Sequence, residues 1–129
     1  MTEKSTPLFS FGIVADPQYA DVDPRPDMGR YYRESPAKLA AAIDVFNAED
    51  LAFVVTLGDI IDRDFASFDV ILSAYDRLRH PSVMLPGNHD FSVAPEHLGA
   101  IHARLGMSAP WHDFAIGKVR FVVLDGNQV

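Results

Sequence analysis

Three short apolar segments of the sequence each end in a cluster of polar residues. The segments span residues 8–15, 51–56 and 81–86, and the clusters are Asp16-Pro17-Gln18, Gly58-Asp59 and Gly87-Asn88-His89-Asp90. Short runs of this kind, bounded by Gly or Pro, predict buried strands. In open α/β sheets, ligand sites lie just past the carboxyl ends of the strands. The three clusters are therefore expected to share one edge of a sheet.

The segments between these strands have helical patterns. Ser35-Pro36 predicts the start of a helix with Ser35 as its N-cap, and Leu39, Ile43 and Phe46 share one face of that helix. Further helices are predicted over residues 65–79 and 95–105. The alternation of strands and helices predicts an α/β fold, with a mostly parallel sheet flanked by helices.

Two further segments have different patterns. Residues 111–116 and 119–124 are strand-like and flank Gly117-Lys118, which predicts a C-terminal hairpin. Residues 21–30 are rich in Pro, Asp and Gly and lack a hydrophobic period, which predicts a loop. This loop and the following Tyr31-Tyr32-Arg33 could cover a substrate site or form an ordinary solvated connection, and the sequence favours neither.

The composition limits the class of protein. The chain has 129 residues, a formal net charge of −7 and no cysteine. This length corresponds to one domain over residues 1–129, and the lack of cysteine excludes a disulfide framework or a thiolate metal site. The acidic balance argues against nucleic acid as a partner, and no segment is long and apolar enough to span a membrane. A cytoplasmic protein without nucleic-acid or membrane partners is expected.

The polar clusters supply the ligand types that divalent metal ions prefer. Their Asp, Asn and Gln side chains offer oxygen ligands and His89 adds an imidazole, a set that suits Mn, Fe, Zn or Mg. Taken alone, Asp59 would also fit a capped turn before a helix. The recurrence of such residues after three successive strands favours a metal site over this alternative.

The order of these residues resembles the N-terminal half of the calcineurin-like metallophosphoesterases. The matching motifs are Asp16-x-Gln18, Gly58-Asp59-x-x-Asp62-Arg63 and Gly87-Asn88-His89-Asp90. That family usually has His at the position of Gln18, and the Gln form resembles the manganese-dependent ADP-ribose/CDP-alcohol diphosphatase branch. The resemblance covers nearly the whole chain, and it implies a hydrolase built on half of an α/β/β/α sandwich.

The resemblance also implies a role for each site residue. Two divalent ions, Mn foremost with Fe, Zn or Mg as alternatives, would activate a bridging water for attack on phosphorus. The implied metal ligands are Asp16, Gln18, Asp59 and Asn88, with Asp59 shared by both ions. The implied catalytic residues are His89 and Asp62. His89 would protonate the leaving oxygen or stabilise charge on the phosphorus, and Asp62 would accept its ring hydrogen and fix its orientation. The predicted substrate-binding residues are Arg63, Tyr19 and Arg33.

The expected substrate is a phosphorylated small molecule with a phosphoanhydride or phosphodiester bond, such as ADP-ribose or a CDP-alcohol. The alternatives are a cyclic-nucleotide or glycerophosphodiester phosphodiesterase, and a non-catalytic binding module. The second half of the family's domain supplies an isolated His and a Gly-His-x-His motif, and this sequence matches neither. A truncated domain with impaired activity is therefore expected, and its unfinished sandwich is expected to favour self-association.

Overall fold

The centre of the computed structural model, which describes residues 5–127, is a three-stranded parallel sheet. Its strands are β1 (Gly12–Val14), β2 (Val54–Thr56) and β3 (Ser82–Met84), in the order β1-β2-β3. Both strand pairs are parallel, so the carboxyl ends of all three strands meet at one edge. The parallel α/β sheet expected from the sequence is thereby confirmed.

Helices form the crossovers between these strands. The helix α1 (Ser35–Asn47) connects β1 to β2, and α2 (Ser67–Leu72) continues into a 3-10 helix (Ser73–Arg77) before β3. A second 3-10 helix (Pro95–Ala100) precedes the short α3 (Ile101–Arg104). Short 3-10 turns lie over Pro26–Met28, Tyr32–Glu34 and His89–Phe91. Within residues 5–127, none of the helices has the length and apolar character needed to cross a membrane.

The helix boundaries differ from the sequence prediction at three places. Ser35 lies inside α1 and makes no capping hydrogen bond, because Glu34 is the N-cap. The predicted helix over 65–79 divides into α-helix and 3-10 helix at Ser73, whose hydroxyl donates to the carbonyl of Val70 at 2.7 Å. The predicted helix over 95–105 begins as a 3-10 helix that contains Gly99, a residue that weakens α-helix interiors.

The C-terminal hairpin has the predicted boundaries. Strands β4 (Trp111–Ile116) and β5 (Val119–Leu124) pair antiparallel, with Trp111 opposite Leu124 and Ile116 opposite Val119. The hairpin packs against Phe53, the residue before β2, because the ring centroids of Phe114 and Phe121 each lie 5.0 Å from that of Phe53. The hairpin is a separate two-stranded sheet.

The hydrophobic core extends into the loop that follows β2. Ile60 and Ile61 are fully buried, together with Ile43 of α1 and Phe68 of α2. Burying side chains of this size stabilises a fold by roughly 1.5–3 kcal/mol each. The loop that carries Asp59 and Asp62 is therefore fixed by the core.

Candidate active site

The loops after β1 and β2 are joined by backbone hydrogen bonds. The N–H of Gln18 donates to the carbonyl of Asp59 at 2.8 Å, and the N–H of Asp62 donates to the carbonyl of Tyr19 at 2.8 Å. An isolated parallel bridge between Tyr19 and Ile61 continues this pairing past the strand ends. Two of the predicted metal ligands, Gln18 and Asp59, are thus held in adjacent backbone positions.

The loops after β2 and β3 approach each other through two glycines. A Cβ atom on Gly87 would lie 2.2 Å from Oδ1 of Asp59, and one on Gly58 would lie 2.4 Å from the nitrogen of Gly87. The same Oδ1 atom of Asp59 accepts a 2.9 Å hydrogen bond from the N–H of His89. Only glycine permits this approach, so the motif spacing seen in the sequence has a direct steric cause.

Three of the four predicted metal ligands have strained backbone conformations. Asp16, Gln18 and Asp59 have φ angles of 50°, 49° and 48°, in the left-handed region that non-glycine residues rarely occupy. Each such residue costs on the order of 1–3 kcal/mol, and such residues cluster at functional sites. The fold keeps this strain at the strand ends, where the predicted ligands lie.

Asp90 connects the same two loops and was not among the predicted site residues. Its Oδ1 atom accepts hydrogen bonds from the N–H groups of Ile60 (2.8 Å) and Ile61 (3.0 Å), and its Oδ2 atom accepts one from Gly87 (2.8 Å). The side chain is fully buried. Burial raises the pKa of Asp90 to about 6, although the three N–H donors favour its charged form. The one sequence feature that pointed to a site role for Asp90 is its position next to His89 in the third motif.

Asp62 binds both a predicted ligand and the predicted catalytic histidine. Its Oδ1 atom accepts a 3.1 Å hydrogen bond from Nε2 of Gln18 and lies 3.3 Å from Nδ1 of His89. Nδ1 of His89 is also 3.2 Å from the carbonyl oxygen of Asp62. These contacts hold Nδ1 toward Asp62 and leave Nε2 as the outward nitrogen of a ring that is 31% exposed. His89 and Asp62 therefore lie together, with the ring nitrogen nearest the backbone carbonyl of Asp62. Their catalytic roles stay predictions.

Two arginines lie around Asp62, whose side chain is only 3% exposed. Nε of Arg63 donates to Oδ2 of Asp62 at 2.8 Å, and a guanidinium nitrogen of Arg30 lies 3.8 Å from Oδ1. The carboxylate of Asp62 raises the pKa of Arg63 further above its ordinary value. Asp62 therefore remains paired with cations despite its burial.

The oxygen atoms available for a metal ion come from two carboxylates and two amides. Within residues 5–127, the side chains of Asp16 and Asn88 make no hydrogen bond. No three His, Asp or Glu side chains of the described chain come together as a metal-binding group. The predicted ligand set accordingly includes the amides of Gln18 and Asn88 beside its two carboxylates. Because a carboxylate can only accept, the atom of Gln18 that faces Asp62 must be the amide nitrogen Nε2. The amide oxygen Oε1 is then left for a metal ion.

Two predicted substrate-binding residues have other contacts. Tyr19 is 9% exposed and belongs to the core. The guanidinium of Arg33 binds Asp21 (2.6 Å) and Asp23 (2.9 Å) on the surface. Their roles in substrate binding stay predictions, and each residue would have to leave its present contacts to reach a substrate. Arg63, the third predicted substrate-binding residue, lies beside Asp62 and is 51% exposed.

Comparison with protein families and curated proteins relates the sequence to known hydrolases. The family model described as calcineurin-like phosphoesterase matches residues 9–128. The manganese-dependent ADP-ribose/CDP-alcohol diphosphatase of Arabidopsis thaliana is 38% identical to the chain, over 95% of the chain and 44% of the relative. The Homo sapiens protein of the same name is 36% identical, over 70% of the chain and 30% of the relative. The chain thus spans less than half the length of these relatives.

A solved structure has the same fold. It is the crystal structure of a dimetal phosphatase from Danio rerio, which superimposes with a TM-score of 0.73 at 29% identity. The match covers 93% of this chain and 45% of that protein. The fold class predicted from the sequence is confirmed by this likeness.

Proposed function

The chain belongs to the calcineurin-like phosphoesterase family, and from that premise we propose that it carries the metal-ligating and catalytic residues of a phosphohydrolase. The proposed reaction is hydrolysis of a phosphoanhydride or phosphodiester bond, with ADP-ribose and CDP-alcohols as the substrate class, since these are named for the relatives. The observation that carries the proposal is that Gln18, Asp59 and His89 come together after three parallel strands, with Gln18 and Asp59 in strained backbone conformations.

The donor set fits hard divalent ions. Asp16 and Asp59 offer carboxylate oxygens, and Gln18 and Asn88 offer carboxamide oxygens. A set without sulfur and rich in oxygen favours Mn or Mg over Zn, and Mn is the ion named for the relatives. Four protein side chains are too few for two six-coordinate ions, so water or groups outside residues 5–127 would complete the coordination.

The proposed chemistry divides between the ions and the side chains. Bound divalent ions would supply charge stabilisation at the phosphoryl oxygens and a water nucleophile at neutral pH. His89 would donate a proton from Nε2 to the leaving oxygen, because Nδ1 is held toward Asp62. Asp62 would stabilise the protonated ring and keep its orientation. Arg63 would offer its outer N–H groups to a phosphate while Nε stays on Asp62.

The proposal is tested first by binding of Mn²⁺ to the chain. We expect weak binding that Asp59→Ala abolishes, and little turnover, because four ligands leave most coordination positions to water. Turnover is then tested in a chimera in which this chain replaces the matching segment of the Arabidopsis relative. We expect Mn²⁺-dependent cleavage of ADP-ribose and CDP-choline by the chimera, lost on His89→Ala.

Three results would redirect the proposal. Hydrolysis of cyclic nucleotides or glycerophosphodiesters without hydrolysis of ADP-ribose would favour a phosphodiesterase. Mn²⁺ binding without turnover in the chimera would favour a non-catalytic binding module. Mn²⁺ binding that persists unchanged in Asp59→Ala would mean that the ion binds elsewhere, and the proposed site would be wrong.

A further inference from the structure

A cleft with a volume of about 350 Å³ lies beside the candidate metal ligands. Its walls include Asp16 and Gln18, and also Arg30, Tyr31 and Lys38, which have no role in the chemistry proposed above. Because the ligands and these three residues line the same cleft, a molecule whose phosphate lies at Asp16 and Gln18 can extend along it. The cleft is large enough for a ligand group of several atoms.

Two cations line this cleft in a chain whose net charge is −7. Arg30 lies 3.8 Å from Oδ1 of Asp62, so it stands between the cleft and the Asp62–His89 pair. Nζ of Lys38 lies 3.2 Å from Glu34, and both side chains are more than half exposed. An exposed pair of this kind contributes little to stability, so Lys38 is free to turn toward an anion in the cleft.

Tyr31 gives the cleft an aromatic surface. Tyr31 is 43% exposed as a residue, whereas the neighbouring Tyr32 is 7% exposed and anchors the segment in the core. Nζ of Lys38 lies 6.0 Å from the centroid of the Tyr31 ring. An aromatic face beside an ammonium group suits a nucleoside phosphate, whose base or sugar can stack while its phosphate binds the cation.

We propose that this cleft binds the part of a nucleoside diphosphate that lies beyond the reacting phosphorus. The non-reacting phosphate binds Arg30 and Lys38, and the nucleoside packs against Tyr31. The inference rests on the proposed function, since it takes the reacting phosphate to lie at Asp16 and Gln18. It makes the cleft the part of the site that selects phosphoanhydrides over simple phosphate monoesters.

Calorimetric titration of the Mn²⁺-loaded chain with three probes tests this assignment. Inorganic phosphate reaches only the metal ligands, pyrophosphate also reaches the cations, and ADP adds the nucleoside. We expect Lys38→Glu to weaken the binding of pyrophosphate and of ADP about tenfold or more, since it removes a charge-assisted contact. The affinity for inorganic phosphate should stay nearly unchanged. We expect Tyr31→Ala to weaken the binding of ADP about fivefold, since it removes only stacking. The affinity for pyrophosphate should stay unchanged.

Matched controls lie on the hairpin, none of whose residues line the cleft. Lys118→Glu makes the same change of charge, and Trp111→Ala removes an aromatic ring that is 63% exposed. Neither control is expected to alter binding of any probe. The proposal is overturned if Lys38→Glu weakens phosphate binding as much as pyrophosphate binding, or if ADP binds no better than phosphate. It is also overturned if the control variants lose as much affinity for the probes as the cleft variants do.

Failure of the cleft and failure of the metal site give different results. Absence of Mn²⁺ binding would contradict the proposed function. The cleft would then be tested by amide NMR spectra of the metal-free chain, where ADP is expected to shift Tyr31 and Lys38. ADP-induced shifts at those amides would support the cleft, and shifts only elsewhere or none would overturn it.

Discussion

The side-chain nitrogen of Gln18 donates a 3.1 Å hydrogen bond to Oδ1 of Asp62, the oxygen that also lies 3.3 Å from Nδ1 of His89. A candidate metal ligand and a candidate general acid therefore share one buried carboxylate atom. The contact sets the orientation of the Gln18 amide, because a carboxylate accepts only from its NH₂ group. Gln18 thereby keeps a neutral oxygen for a metal ion, where the imidazole usual in this family would present nitrogen.

Gln18→His is expected to change the metal preference of the chain. An imidazole nitrogen suits Zn²⁺ better than an amide oxygen does, so the affinity for Zn²⁺ relative to Mn²⁺ should rise about tenfold or more. Competitive calorimetric titration with the two ions measures this ratio. Lys118→His, which adds an imidazole to the hairpin turn, is the control and should leave the ratio unchanged. An unaltered ratio in Gln18→His would mean that residue 18 is not a ligand.

Asp59→Asn is expected to weaken Mn²⁺ binding more than any other single substitution at the site. Loss of groups that only orient the ligands commonly costs 10–100-fold in metal affinity, and loss of a shared carboxylate should cost about 100-fold or more. Asp64→Asn is a matched control, since Asp64 follows in the same loop with a φ angle of 65° and an exposed side chain. Equal losses of affinity in the two variants would show a general effect of charge instead of ligation.

The sequence predicted the strand ends and their polar residues well, because motif order and strand periodicity are local properties. It did not reveal that Asp90 joins the loops, since its three N–H partners come from Ile60, Ile61 and Gly87 and only the folded chain brings them together. Lys38 carried no signal at all, because an exposed lysine on a helix has many ordinary roles. Contacts between distant segments are what the sequence pattern left open.

The sequence pattern also did not predict where a helix changes type or which partner a charged side chain binds. The pattern over 65–79 has helical periodicity throughout, yet the Ser73 hydroxyl competes for a backbone carbonyl and the helix changes type there. Arg33 has the residue type for phosphate binding, yet it pairs with Asp21 and Asp23. Residue type predicts which chemistry is available, whereas the partner chosen depends on which side chains lie within reach.

Gly87→Ala is expected to destabilise the chain by about 3 kcal/mol, because a Cβ atom there would meet backbone and carboxylate atoms of Asp59 at 2.2–2.5 Å. Gly99→Ala is the control, since nothing lies within 4 Å of its Cβ position. That substitution should change stability by less than about 1 kcal/mol, in either direction. Urea unfolding followed by circular dichroism compares the two variants, and similar free energies of unfolding would contradict the close approach of the loops.

The outer face of the hairpin is expected to mediate self-association. Trp111, Val122 and Leu124 are each at least 60% exposed, and Trp111 pairs with Leu124 across the strands. Contiguous apolar patches of this kind promote association, so Val122→Lys should weaken it by about tenfold. Sedimentation velocity measures the effect against Val45→Lys, a control at a residue on α1 that is 63% exposed. Association that is equal in both variants would place the contact elsewhere.

Asp90 is expected to make the stability of the chain depend on pH between about 4 and 6. Its pKa rises from an ordinary 3.8 to about 6 in the folded chain, mainly through burial. The folded state therefore holds more protons than the unfolded state in this interval, and the contribution of Asp90 to stability falls as pH rises. Two pKa units correspond to about 3 kcal/mol, as an order of magnitude.

Asp90→Asn removes this titration, and it turns one acceptor into a donor that faces a backbone N–H group. The variant should be less stable than the wild type at pH 4 by about 1–3 kcal/mol. The gap between the two free energies of unfolding should then narrow as pH rises to 7, because only the wild type must ionise a buried carboxyl group. Urea unfolding at several pH values measures the gap. A gap that widens with pH would mean that the N–H groups of Ile60, Ile61 and Gly87 stabilise the charged form more than burial opposes it.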